Sequence, residues 1–308
     1  MRYNKAVISS PATLANFGPG FDSFGLCLDS PRDTVTIQLR QPGRREVKVS
    51  GWSGIPTDPE KNTASYAAMR LADMCGCEEY GFSMTIKKGM KPGSGIGSSA
   101  ASSVGGALAM ATLMGVRDES LILEAAAMGE ELIAGSRHFD NVAAALHGGF
   151  TVVSDARKRT ILRIKPPSFQ IVVVLPEISV ETRKAREVLP KSVPLSDAVS
   201  NLSMAAGMVH SMMKRDARAV GEYLDDTLSV PYRKKLVPGF DEVRKSALDS
   251  GALGVSLGGS GPAVFAITLE NASKIKQAMV RTFLESSGLE SESFITVPGE
   301  GAIVEKVS

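Results

Sequence analysis

The amino-acid sequence predicts an α+β chain of two domains, and three observations carry that expectation. Segments with strand-like alternation and segments with helical spacing succeed one another along most of the chain. A Pro166-Pro167 pair interrupts the pattern near its middle with a rigid, non-helical stretch. The second half then closes in the order of a ferredoxin-like βαββαβ sandwich. A length of 308 residues suits two domains of about 100–200 residues each, here 1–166 and 167–308.

The elements follow in order. Residues 34–39 alternate β-branched side chains and read as a strand, 63–74 have helical spacing, and 82–87 return to strand. After Gly97 a helix of small residues covers 98–114, a second covers 119–134, and a third covers 139–147, stopped by Gly148-Gly149. Strands are expected at 151–154 and 161–164, ahead of the proline pair. Beyond it lie an apolar strand at 171–175 and helices at 196–213 and 216–224. The closing run is a helix at 241–250, strands at 253–256 and 263–268, a helix at 272–284, and strands near Phe294 and Ile303.

Composition narrows the function. The chain is 43% hydrophobic and 22% charged, with a formal net charge of +2, which is ordinary for a globular protein. That near-balance excludes a nucleic-acid binder held by counterion release, and no dense Lys/Arg run marks a membrane-surface patch. Cys27, Cys75 and Cys77 have no C-x-x-C spacing, and His138, His147 and His210 are the only histidines, so neither a disulfide framework nor a zinc site is expected. The first residues lack the apolar core of a signal peptide, and the small-apolar run 100–114 is too short and too rich in Ser and Gly to span a bilayer. A cytoplasmic enzyme with a small partner, and with neither nucleic acid nor membrane, is the expectation.

The chemistry centres on Lys91-Pro92-Gly93-Ser94-Gly95-Ile96-Gly97-Ser98-Ser99, which joins a strand to the start of a helix. Glycines let the backbone take positive φ and approach an anion, and the free N–H groups and dipole of the helix's first turn attract it. Ser98 and Ser99 add hydroxyls at the junction, one able to cap and one able to face a metal ion. A bare Gly-Ser cluster also reads as a turn with an N-cap serine. The segment is not a Walker A loop, because the chain has no Gly-Lys dipeptide, and not a dinucleotide fingerprint, because Ser98 stands where the third glycine belongs.

The segment resembles the phosphate-binding motif of the GHMP small-molecule kinase superfamily, which includes galactokinases, homoserine kinases and mevalonate kinases; Ile96 stands where Leu or Met is commoner. Two other segments agree in order, Pro11-Ala12-Thr13-Leu14-Ala15-Asn16-Phe17-Gly18-Pro19-Gly20-Phe21-Asp22 and Leu257-Gly258-Gly259-Ser260-Gly261-Pro262. Within the superfamily the first of these is similar to the homoserine kinases. The similarity continues at His138-Phe139-Asp140-Asn141-Val142-Ala143, through residues 182–190, and at Tyr232-Arg233.

The resemblance implies a two-domain GHMP kinase fold, with an N-terminal domain like domain 2 of ribosomal protein S5 and a C-terminal ferredoxin-like α/β sandwich. It implies ATP on the loop 91–99, with Asn62, Thr63 and Lys87 near the base, and Mg²⁺ held by Ser98 and Glu130. Glu131, about 100° further round the helix, faces elsewhere. The acceptor it implies is L-homoserine, whose carboxylate suits arginine forks from Arg186 and Arg233. Asp22 would take the ammonium, and Asn16, His138, Asn141 and Gly259 offer further contacts. Asn141 stands where other members carry a candidate base, an aspartate, and cannot accept a proton, so transfer is expected to rest on positioning and charge, with Thr182 and Arg186 helping to hold the γ-phosphoryl group. A homodimer is implied too. The alternatives are another small-molecule kinase of mevalonate type or a non-catalytic metabolite sensor. A hydrolase reading of Gly254-Val255-Ser256-Leu257-Gly258 fails, since a strand rather than a helix is expected after it and no histidine follows His210.

Overall fold

The computed structural model describes residues 3–77 and 80–308. Two sheets organise the described residues. The first has seven strands: β11-β1-β2-β4-β3 run side by side, and β5 pairs with β2 and then β6. The second has four, in the order β10-β7-β9-β8.

Strand β1 (Lys5–Ala15) carries the N-terminal motif and is antiparallel to the long β2 (Phe24–Arg40). It was not expected as a strand. Its last eight residues are all buried, so alternation is missing, and Ser9, Ser10, Pro11 and Thr13 break the apolar run that marks other buried strands. The short edge strand β3 (Arg45–Ser50) was unexpected for a different reason: charged residues mask the alternation of Val47 and Val49. It runs parallel to β4 (Gly81–Lys87), joined through α1 (Thr63–Met74).

Helix α2 (Ser98–Met114) explains its run of small residues by where it lies. A Cβ on Gly106 would come within 1.9 Å of the Ala64 carbonyl oxygen on α1, and one on Gly105 within 2.6 Å of Val35 on β2. The helix is thus wedged between sheet and helix at distances that admit little beyond Gly, Ala and Ser. Helices α3 (Glu119–Ala134) and α4 (Asp140–His147) complete the layer, and β5 (Phe150–Asp155) and β6 (Thr160–Ile164) complete the first sheet before the proline pair.

In the second half, β7 (Gln170–Pro176), β8 (Gly254–Leu257), β9 (Val264–Thr268) and β10 (Ser291–Thr296) form the four-stranded sheet. Helices α9 (Phe240–Asp249) and α10 (Ala272–Ser287) pack on it, in the βαββαβ sequence. Between β7 and β8 lie α5 (Thr182–Glu187), α6 (Leu195–Lys214), α7 (Ala217–Glu222) and α8 (Val230–Arg233). One expectation is corrected: the strand near Ile303, β11 (Ile303–Val307), does not join this sandwich but returns to pair with β1. Its mostly exposed side chains carry no mark of a partner; backbone hydrogen bonds select one.

A shared aromatic core joins the halves. Phe17 stacks on Phe265 of β9 at 5.4 Å between ring centroids and meets Phe150 of β5 edge-on at 6.0 Å. The turn that follows Phe17 is therefore pinned where the two sheets meet.

Candidate active site

At that junction a cavity of about 320 Å³ opens, within the range of small-molecule sites. Its wall draws on the N-terminal motif, the glycine-serine loop, α3, the start of α4, α5, Arg233 and the turn at Gly259.

The loop has left-handed backbone at Gly93, Gly95 and Gly97, with φ of 69°, 81° and 68°. At Gly95 a Cβ would meet the Gly261 carbonyl oxygen at 2.7 Å, so the turn 257–262 presses directly on the loop. Helix α2 then starts with no side-chain cap, and Gly97, Ser98 and Ser99 at its start line the cavity, where uncapped N–H groups can bind an anion.

Lys88 supports this start from beneath. It is buried and forms an ion pair with the fully buried Asp33, donating also to the Ser98 carbonyl at 2.7 Å and the Ser102 hydroxyl at 2.9 Å. Burial pulls its ammonium below the usual lysine range, and Asp33 opposes that shift. Lys87, expected near the nucleotide base, lies on the exposed face by strand alternation and outside the cavity wall. Lys88→Met leaves the Asp33 carboxylate buried without its cation, and a loss of about 3–5 kcal/mol is expected in urea unfolding; unchanged stability would refute the supporting role.

Lys91 and Ile96 likewise lie outside the cavity wall. The Lys91 carbonyl accepts from the Ser94 hydroxyl at 2.7 Å, and Ile96 packs in the core. Pro92, Gly93, Ser94, Gly95, Gly97, Ser98 and Ser99 do line it. Asn62 and Thr63 reach it as well, but the Asn62 side chain is committed: its oxygen caps α1 at Ala64 and its amide donates to the Pro56 carbonyl at 2.8 Å.

Glu130 projects from α3 into the same wall, whereas Glu131 is turned away and paired with Arg137. The Glu130 carboxyl is buried, hydrogen-bonded by Ser99, and one of its oxygens, Oε1, has no partner. Desolvation pushes it up to about 7. Among the described residues no group of three or more His, Cys, Asp or Glu side chains could hold a metal alone. An orphaned buried carboxylate oxygen in one wall with Ser98 fits an ion that shares its coordination with phosphate oxygens, the usual habit of Mg²⁺.

The wall beside the turn at Gly259 carries both signs of charge. Asp22 and Asn16 both hold the left-handed conformation, with φ of 53° and 64°, and the Asn16 side-chain oxygen accepts from the Asp22 N–H at 3.0 Å. One Arg186 nitrogen donates to both Asp22 oxygens, at 2.8 and 2.9 Å. His138 lies 3.7 Å from Asp22 and bonds the Ser136 hydroxyl. Its burial, helped by Arg186 and Arg233 and opposed by Asp22, holds its ring below the ordinary histidine range. Arg233 is buried, donates to the Ala185 and Gly259 carbonyls at 3.1 and 3.0 Å, and stacks on Phe21, as does Arg186. Asn16 donates to the same Gly259 carbonyl at 3.1 Å. Thr182 completes this side.

Asn141 lies in the wall beside Gly97 of the loop, its Oδ1 accepting from Thr13 at 2.7 Å. Beside it is a residue the sequence reading did not single out, Asp140. It is buried in the wall, accepts the Asn141 N–H at 2.9 Å, and is pushed up to about 6, mostly by desolvation and then by Asp22. An aspartate at a helix start reads as a dipole partner, and only burial distinguishes it. Lys88 had a weaker signal still, its neighbour in the sequence.

Comparison with known proteins gives the family. Residues 62–149 match the model of the GHMP kinases N terminal domain, and residues 208–285 that of the GHMP kinases C terminal domain. The chain is 46% identical to a homoserine kinase of Pyrococcus abyssi over 298 residues, covering 97% of this chain and 99% of that one. It is 40% identical to one of Methanocella arvoryzae, over 96% and 95%. A crystal structure of homoserine kinase from Cytophaga hutchinsonii superposes with a TM-score of 0.89 at 36% identity, covering 100% and 98%. A Lactococcus lactis galactokinase, at 15% identity and a TM-score of 0.74 over 97% and 95%, shares the fold.

Proposed function

Because the chain belongs to the GHMP kinase family and, within it, to the homoserine kinases, we propose that it phosphorylates the hydroxyl of L-homoserine with ATP, making O-phospho-L-homoserine for threonine synthesis. One observation supports this acceptor above others: the Asp22–Arg186 ion pair in the cavity wall. A zwitterionic amino acid can take the place of that internal bond, its ammonium on Asp22 and its carboxylate on Arg186 and Arg233. Both charges then exchange one partner for another instead of losing one, which limits the desolvation cost. Mevalonate would draw Arg186 to its carboxylate with no ammonium to replace it on Asp22, and galactose has no charge to exchange with either partner.

The nucleotide's phosphates would lie on residues 93–99 at the start of α2, with the base toward Asn62, Thr63 and Pro56. Ser98 and Glu130 would hold Mg²⁺, which, when bound, neutralises charge on the phosphates. The remaining work falls to positioning. Asn141 orients the acceptor hydroxyl, and Thr182 and Arg186 steady the transferring group. The hydroxyl proton leaves to the phosphate or to water, since a loose transition state asks little of a base. The same reading carries a cytoplasmic homodimer associating through the N-terminal domain, with domains 1–166 and 167–308. No helix among the described residues is long and apolar enough to cross a membrane.

Coupled measurement of ADP release with homoserine, mevalonate, galactose and shikimate tests the acceptor. Turnover should be confined to homoserine, and faster turnover of another alcohol would reject it; ATP binding without any turnover would favour a sensor. Asp22→Asn should raise the KM for homoserine by about 10- to 100-fold, the usual worth of a charged hydrogen bond, while 4-hydroxybutyrate, which lacks the ammonium, is little affected.

A further inference from the structure

We infer that Thr13 is a positioning residue that fixes which way round the Asn141 amide faces and ties it to the phosphate loop. The role of Asn141 toward the acceptor rests on the function proposed above; the geometry of Thr13 does not.

Thr13 is fully buried on β1. Its backbone N–H donates to the Ile96 carbonyl of the loop at 3.0 Å, and its hydroxyl meets Asn141 Oδ1, on α4, at 2.7 Å. Gly97 closes over the pair: a Cβ there would stand 2.0 Å from Thr13 Oγ1 and 3.0 Å from Asn141 Oδ1. Phosphate loop, central strand and acceptor helix thus converge on one hydroxyl.

An amide can present either end, so direction has to be argued. The bond to Asn141 is the one side-chain hydrogen bond of Thr13 among the described residues. Were the amide reversed, its NH₂ would donate to Oγ1 and the Thr13 proton would be buried without an acceptor, which is costly. With Thr13 donating, every polar atom of the contact is satisfied. The Asn141 NH₂ is then the end that faces the cavity, where Asn141 forms part of the wall. There it can donate to the acceptor oxygen, leaving that oxygen's second lone pair for phosphorus and turning its proton away from Asn141. A reversed amide would capture the proton and turn the oxygen out of line. Sequence could not single out Thr13, because a threonine in a buried strand is ordinary β-former chemistry.

The test compares Thr13→Ser, which keeps the hydroxyl, with Thr13→Ala and Thr13→Val, which remove it. Thr13→Ala and Thr13→Val should lower kcat about tenfold, the worth of one oriented hydrogen bond, with the KM for homoserine within about threefold; Thr13→Ser should stay within about twofold of wild type. In an Asn141→Ala background, loss of the hydroxyl should cost nothing further. Equal losses in Thr13→Ser and Thr13→Ala, or an undiminished loss in the Asn141→Ala background, would overturn the role. The Asn141 side-chain amide resonances, assigned by their absence in Asn141→Ala, give a readout that needs no turnover. They should hold their position in Thr13→Ser and move in Thr13→Ala, and identical spectra would overturn the inference even if homoserine proved not to be the acceptor.

Discussion

Glu130→Gln should lower turnover by about two to three orders of magnitude and, at pH 8, raise the melting temperature. The first effect follows if the orphaned carboxylate oxygen supplies charge to the phosphate-bound metal ion, because glutamine keeps shape and hydrogen bonds but not charge. The second follows from linkage. Burial raises this carboxyl from 4.5 to about 7, so between those values the folded chain holds a proton that the unfolded chain has released. Stability therefore declines as pH rises through that window and stays lowered above it, by on the order of 3 kcal/mol at 1.36 kcal/mol per pH unit. Asp140, raised to about 6, contributes in the same sense at somewhat lower pH, in wild type and variant alike. Melting curves at pH 8 and pH 5 check the sign: the advantage of Glu130→Gln should be large at pH 8 and much smaller at pH 5. Wild-type turnover in the variant, or a variant less stable than wild type at pH 8, would remove Glu130 from the role given to it. Sites tuned for function commonly surrender stability in this way.

Arg233→Leu should raise the KM for homoserine by about two to three orders of magnitude, the cost of breaking a buried charged contact, with a smaller change in kcat. Arg233 is held on three sides before any ligand arrives, by the Ala185 carbonyl, the Gly259 carbonyl and the face of Phe21. Its guanidinium is thus fixed in direction, and an acceptor carboxylate binds without having to order it. Arg233→Lys should rescue little, because an ammonium cannot make both carbonyl bonds in the planar fork and still point at the ligand. Isothermal titration with homoserine separates binding from turnover; unchanged affinity in Arg233→Leu would assign the carboxylate to Arg186 alone.

Local elements and motifs were legible where spacing is regular or an apolar run is unbroken. Helices α1, α2 and α3 begin and end where spacing, caps and terminal glycines put them, since those signals are local. β1 was invisible because Ser9, Ser10, Pro11 and Thr13 break up its apolar residues without a regular alternation. The glycine-serine loop could be read as an anion site because loop-to-helix chemistry is short-range, whereas Ser98 and Glu130 as metal ligands came from the family resemblance. Lys88 could not, since one step of strand phase separates it from the exposed Lys87 and only Asp33, 55 positions away, reveals which of the two is buried.

By itself, then, the sequence determined a two-part α+β chain, an anion-binding loop at the start of a helix of small residues, and the residue types a zwitterionic alcohol needs. Tertiary structure alone decided how those types are used: that Asp22 and Arg186 are each other's partner, that Arg233 is pre-set by two carbonyls, that β11 returns to the first sheet, and that Thr13 turns the Asn141 amide. The division has a physical reason. Periodicity, capping and glycine conformations depend on neighbours in the chain, whereas burial, charge pairing and hydrogen-bond direction depend on groups that only the packed fold brings within a few ångströms.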